Sequence, residues 1–157
     1  MLDTFCIQGA ESFNGDIGDW DVSSVTDMSW MFANTLTFNQ DIGSWKTGNV
    51  EGMNFMFYQA EAFNQNIDTN GAAWDVSSVT DMTAMFIGAT SFNQNLTNWE
   101  PTLTGTAGES CGSFADGATA WLDYWTAVNG ATYPLDTNPP LSQALLTAGC
   151  GQQQPQP

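Results

Sequence analysis

Apolar residues recur in this chain with a period much longer than that of a helix or a strand. Phe13, Phe38, Phe63 and Phe92 each open a unit, at intervals of 25, 25 and 29 residues. Each Phe is followed by Asn14, Asn39, Asn64 or Asn93, and then by Ile17, Ile42, Ile67 or Leu96. A tryptophan comes next, at Trp20, Trp45, Trp74 and Trp99, and after a polar-leaning stretch the motif Met-x-x-Met-Phe closes three of the units, at Phe32, Phe57 and Phe86. The longer interval carries its extra residues in "DTNGAA", just after Ile67. One such unit cannot bury its apolar face alone, whereas stacked units share a continuous core, so the pattern predicts a repeat solenoid.

Within a unit, Ser24 to Asp27 and Ser78 to Asp81 have the S-x-x-D form of a capping box. Behind them, Val25, Met28, Met31 and Phe32, like Val79, Met82, Met85 and Phe86, have helical spacing, which predicts a short helix. Phe38 to Trp45 is the expected extended arm, pairing with its neighbours as a strand. The fold expected is therefore leucine-rich-repeat-like, a short strand plus a short helix per coil. Four coils are placed in residues 1–100. Residues 101–157 follow as a Thr/Gly connector, a degenerate coil in "FADGATAWLDYW", a C-terminal cap or docking region and a polar tail. In the first unit Asp3, Cys6 and Ile7 stand where later units have Met, Met and Phe. No polar capping segment precedes them, which predicts a bare end.

"SFNQNLTNW", "TFNQDIGSW" and "WDVSSVTDMTAMF" resemble the BspA-type surface-protein repeat, the DUF285 class related to leucine-rich repeats. The resemblance covers roughly residues 3 to 99. It implies a leucine-rich-repeat-like fold on secreted or surface-displayed proteins, with adhesion the usual suggestion, and it brings no catalytic residues to carry over.

Charge narrows the partners. Of 18 charged residues 17 are acidic, Lys46 is the sole base, and there is no Arg or His, giving a net charge of −16. Phosphates and anionic lipid surfaces need Lys and Arg, so neither nucleic acid nor an anionic membrane is an expected partner. No stretch approaches the roughly 20 apolar residues that span a bilayer. Any export signal is expected to have been removed or to lie outside this sequence.

Repeat register also sets the candidate sites. Asp21, Lys46, Asp75 and Glu100 each follow a Trp, so the single base is expected between Asp21 and Asp75, relieving their repulsion. Asp16, Asp41, Asn66 and Asn95 form a second ladder. Its carboxylates Asp16 and Asp41 are candidate Ca²⁺ ligands, but no EF-hand-type loop supports them and surface turns explain them better. The asparagines after Phe are expected to satisfy backbone at coil corners, and the tryptophans to be core rather than a sugar-binding strip. Trp30, Phe55 and Tyr58 fall between core positions, where a patch would mark a contact surface. Cys111 and Cys150, both lying outside the repeats, are the preferred disulfide pair, which leaves Cys6 buried; the alternative is that Cys6 bonds a cysteine of another subunit. Asn95 heads the sequence's one N-x-[ST] sequon and is the glycosylation candidate.

These features predict a non-catalytic extracellular or cell-surface protein without cofactors, associating head to tail into a filament through its ends. The alternative is an adhesin or ligand-binding module that presents its lateral face to a protein or glycan. A glycosidase using paired carboxylates is disfavoured, because the acids follow repeat register.

Overall fold

The structure, a computed structural model, describes residues 10–68, 73–96, 98–99, 101–102 and 111–120. Apolar residues three apart can close a tight turn as readily as they can line a helix, and here they close turns. The Trp20 amide donates to the Ile17 carbonyl at 3.1 Å, Val25 to Val22 at 2.9 Å, Met31 to Met28 at 3.2 Å and Phe38 to Thr35 at 3.2 Å. Each bond of this kind ends a four-residue turn on an apolar residue, and that side chain is buried at Met31 and Phe38, partly buried at Val25 and exposed at Trp20. The same bonds recur one coil on, Trp45 to Ile42, Val50 to Thr47, Met56 to Met53 and Phe63 to Ala60.

The strand-plus-helix coil expected from the sequence is therefore not what forms. Among the described residues helix and strand are almost absent and there is no sheet. Between described residues the extended pairing consists of two isolated parallel bridges, Asp27 to Gly52 and Gly52 to Asp81. Two physical reasons account for the missing helix. Asp27 and Asp81 do not cap; each accepts a hydrogen bond from the amide two residues on, Ser29 at 2.8 Å and Thr83 at 2.9 Å, which fixes a turn. Left-handed residues then interrupt the segment behind them, at Trp30 (φ 64°) and Asn34 (φ 60°) and again at Phe55 (φ 56°) and Gln59 (φ 55°). A helix cannot run through such residues. The segment from Phe38 to Trp45 likewise holds no strand.

Alternation of hydrogen bonds couples the turns to the stack. The amides of Met28, Trp30, Phe32 and Asn34 donate across to the carbonyls of Gly52, Asn54, Met56 and Tyr58 at 2.8–3.0 Å. The amides between them, of Met31 and Ala33, close local turns. The pattern repeats from Met53, Phe55, Phe57 and Gln59 to Asp81, Thr83, Met85 and Ile87. It continues from Ala84, Phe86 and Gly88 to Gly112, Phe114 and Asp116. Left-handed φ at Ser113 and Gly117 matches that at Ala84 and Gly88, so residues 111–118 stand as the second half of the coil opened by Phe92. The four coils thus begin at Phe13, Phe38, Phe63 and Phe92.

The core is a double column of rings. Phe13, Phe38, Phe63 and Phe92 stack at centroid steps of 5.9, 5.9 and 6.0 Å. Phe32, Phe57 and Phe86 form the second column at 5.5 and 5.4 Å. The columns face each other within each coil, with Phe32 against Phe38 at 4.1 Å, Phe57 against Phe63 at 3.9 Å and Phe86 against Phe92 at 4.2 Å. Met28, Met53 and Met82 are fully buried around them.

Candidate functional site

Side-chain ladders run along the stack and join each coil to the next. Asn14 Oδ1 accepts from the Asn39 amide at 2.9 Å, Asn39 Oδ1 from the Asn64 amide at 2.9 Å, and Asn64 Oδ1 from the Asn93 amide at 2.8 Å. Gln40, Gln65 and Gln94 add a clamp: each Nε2 donates to both the side-chain and the backbone carbonyl of the asparagine in the preceding coil. The glutamines directly follow the asparagines, so the repeated Asn-Gln was a signal that the sequence reading left unused. At the far end Asn93 Oδ1 is buried and accepts no hydrogen bond.

Tryptophan forms a second ladder. The Trp45, Trp74 and Trp99 indole Nε1 groups donate to the Ile17, Ile42 and Ile67 carbonyls at 3.1, 2.7 and 3.0 Å. Those three side chains are 1%, 2% and 0% exposed, whereas Trp20 is 41% exposed. A cavity of about 470 Å³ opens beside Trp20, lined by Val22, Val25, Met28 and Met31, with Asp19 and Asp21 beside the indole.

The charged candidates divide differently from their register. Asp21 accepts from the Ser23 hydroxyl at 2.6 Å and from the Ser23 amide at 3.1 Å. Those bonds hold its carboxyl below the usual range, and nearby Lys46 adds a smaller push the same way. Asp75 is lowered by the amide and hydroxyl of Ser77 alone. Its carboxylate lies over Gly48, where a Cβ would meet Oδ2 at 3.2 Å, and its backbone is tied to Thr47. Lys46 is thus close enough to influence Asp21, while Asp75 is organised by its own turn.

Both depressed carboxylates contribute stability that is complete above the ordinary carboxylate pKa of about 3.9 and is lost as pH falls through the folded-state value. Asp75→Asn keeps an acceptor for the turn but removes the charge. Wild type is expected to exceed this variant in urea midpoint at pH near 6, and the gap is expected to close as pH is lowered below about 4. A gap that does not change with pH removes the charge from the account.

Asp16 and Asp41 each use Oδ1 to accept from the amide two residues on, Gly18 at 3.2 Å and Gly43 at 2.9 Å, and Asn66 does the same for Asp68. Among the described residues no three acids or cysteines gather as a metal-holding group. Asn95 is exposed, and Thr97 and Glu100 lie outside the described residues. Cys111 is disulfide-bonded. Cys6 and Cys150 lie outside the described residues. Trp30, Phe55 and Tyr58 do meet: Trp30 stacks on Phe55 at 4.1 Å with planes 7° apart, and Tyr58 tilts against both. No helix among the described residues is long and apolar enough to cross a membrane.

The fold and these features define a repeat protein of stacked, turn-built coils joined by asparagine, glutamine and tryptophan ladders. The chain belongs to the DUF285 family: the family model described as "Mycoplasma protein of unknown function, DUF285" matches residues 3–99 and again 69–110. No curated protein and no solved structure matches the chain.

Proposed function

We propose that this chain is a non-catalytic structural protein of the cell surface or extracellular space that joins a second copy of itself end to end through its first coil. The observation that carries the reading is Trp20, 41% exposed beside an apolar cavity at a position where every later coil has a buried indole. A coil face from another copy is the surface with matching spacing. The asparagine ladder favours a head-to-tail sense. Asn93 has an acceptor without a donor, and the Asn14 amide bonds nothing among the described residues. Two first-coil faces brought together would instead oppose Asp19 and Asp21 in both copies. The disulfide at Cys111 suits an oxidising compartment.

Sedimentation velocity over rising protein concentration, at low and high salt, tests this. Assembly is expected to grow with salt, because screening weakens repulsion between acidic subunits. Trp20→Asp is expected to keep the chain monomeric throughout, with its fold checked by the fluorescence of the buried tryptophans. A wild-type chain that stays monomeric at every concentration and salt, with no filaments by electron microscopy, ends the proposal.

A further inference from the structure

In coils 1 and 2, Trp30, Phe55 and Tyr58 form one half-buried cluster. The fold does not demand aromatics there. Trp30 and Phe55 occupy the left-handed position that Ala84 and Ser113 fill in the next two coils. A bulky side chain at positive φ costs about 1–2 kcal/mol relative to glycine, so two rings at this position run against local preference. Such outliers concentrate where a surface is used.

Three amide residues, Asn34, Asn54 and Gln59, neighbour the rings along the chain or across the stack, and the Gln59 side chain lies against Gly88 of the next coil. The Trp30 amide donates to the Asn54 carbonyl at 3.0 Å and the Asn34 amide to the Tyr58 carbonyl at 2.8 Å, while Gln59 directly follows Tyr58. In contrast to the ladder amides, the side chains of Asn34, Asn54 and Gln59 make no hydrogen bond among the described residues, and all three are half-buried. Tyr58 is turned 59° from the plane of Phe55 and 52° from that of Trp30, so its ring lies outside their stack. No charged residue occurs between Met28 and Asn34 or between Met53 and Ala60, in a chain of net charge −16.

We propose that this aromatic and amide edge is a binding site for a neutral glycan. Aromatic rings pack against the apolar faces of sugars, and uncommitted amides supply donors and acceptors to hydroxyls. The acidic field repels carboxylated or sulfated polymers, and the patch offers no charge to hold a cationic one. The site shares no residue with the lining of the Trp20 cavity and does not depend on end-to-end association.

Affinity electrophoresis and titration calorimetry with laminarin, mannan and dextran as neutral probes, and alginate as the acidic one, test the site. At least one neutral polymer is expected to retard and titrate the wild-type chain, with alginate inactive. Tyr58→Ala and Asn54→Ala are expected to weaken that binding at least tenfold while leaving the urea midpoint nearly unchanged; Trp30→Ala is avoided because its stack supports the coil. Binding of alginate alone, no binding to any neutral probe, or neutral-polymer binding that survives both substitutions overturns the proposal.

Discussion

Phe57→Ala is expected to lower the unfolding free energy by about 3–5 kcal/mol, the range for deleting a large aromatic from a packed core. Phe57 is fully buried. It touches Phe32 and Phe86 along its column and Phe63 across it, at 5.5, 5.4 and 3.9 Å. Removing the ring opens a cavity between three coils. The walls cannot collapse freely, because the Phe57 amide also ties coil 2 to Met85 at 2.9 Å and its carbonyl accepts from Ala60 at 3.1 Å. Phe57→Leu retains most of the volume and loses the stacking, so an intermediate cost is expected. Urea unfolding followed by tryptophan fluorescence measures both; a loss below about 1 kcal/mol for the alanine variant would mean that the ring columns do not hold the coils together.

Thr47→Val is the second large effect, about 2–3 kcal/mol, although it changes neither the size nor the branching of the side chain. Thr47 is one of two fully buried polar residues among those described. Its Oγ1 donates to the Asp75 carbonyl at 2.9 Å and accepts from the Asp75 amide at 2.8 Å. A single hydroxyl thus satisfies both backbone groups of a residue one coil away. Valine leaves both unpartnered in a part-buried setting, where an unmade hydrogen bond costs more than a made one contributes. Thr47→Ser retains the hydroxyl and is expected to recover most of the loss; equal destabilisation by Val and Ser would assign the effect to packing of the methyl group instead.

The octapeptide "DVSSVTDM", present at Asp21 and at Asp75, shows how far sequence could be read into structure. Val25, Met28, Val79 and Met82 were legible as core from spacing, and Met28, Val79 and Met82 are buried with Val25 packed partly buried against them, whereas the buried Val22 and Val76 fall outside that spacing. Its polar residues suggested a helix cap, because Ser-x-x-Asp ahead of apolar residues at helical spacing is what a capped helix needs. In the structure Asp21, Asp75, Asp27 and Asp81 each fix a turn, and Ser78 donates instead to the Gly48 carbonyl of the preceding coil at 2.8 Å. Apolar spacing of three is common to a helix and to a train of turns. Local sequence therefore could not separate them.

The exposed Trp20 and the aromatic cluster were legible to different degrees. Register identified Trp20 as equivalent to Trp45, Trp74 and Trp99, but only the packing revealed that it is exposed while they are buried. Trp30, Phe55 and Tyr58 stood out as falling between core positions, yet their separation in the chain gave no sign that the three rings touch. Ladder register placed Lys46 between Asp21 and Asp75, and it adds a small lowering push to Asp21. The bonds between Thr47 and the Asp75 backbone, with the Asp75 carboxylate over Gly48, were not legible from register.

By itself the sequence determined that equivalent residues stack, because a period of about 25 residues places one apolar set per unit and none can be buried without a neighbour. It determined also which family the chain belongs to and which partners its charge disfavours. Only the tertiary structure decided how each coil is built. Amide and carbonyl groups could be satisfied either within a helix or across to the next coil, and the phenylalanine columns, the asparagine and glutamine clamps and the tryptophan indoles all act between coils. Once those contacts hold neighbouring coils together, alternate amides bond across the stack, and the residues between them are left to close turns.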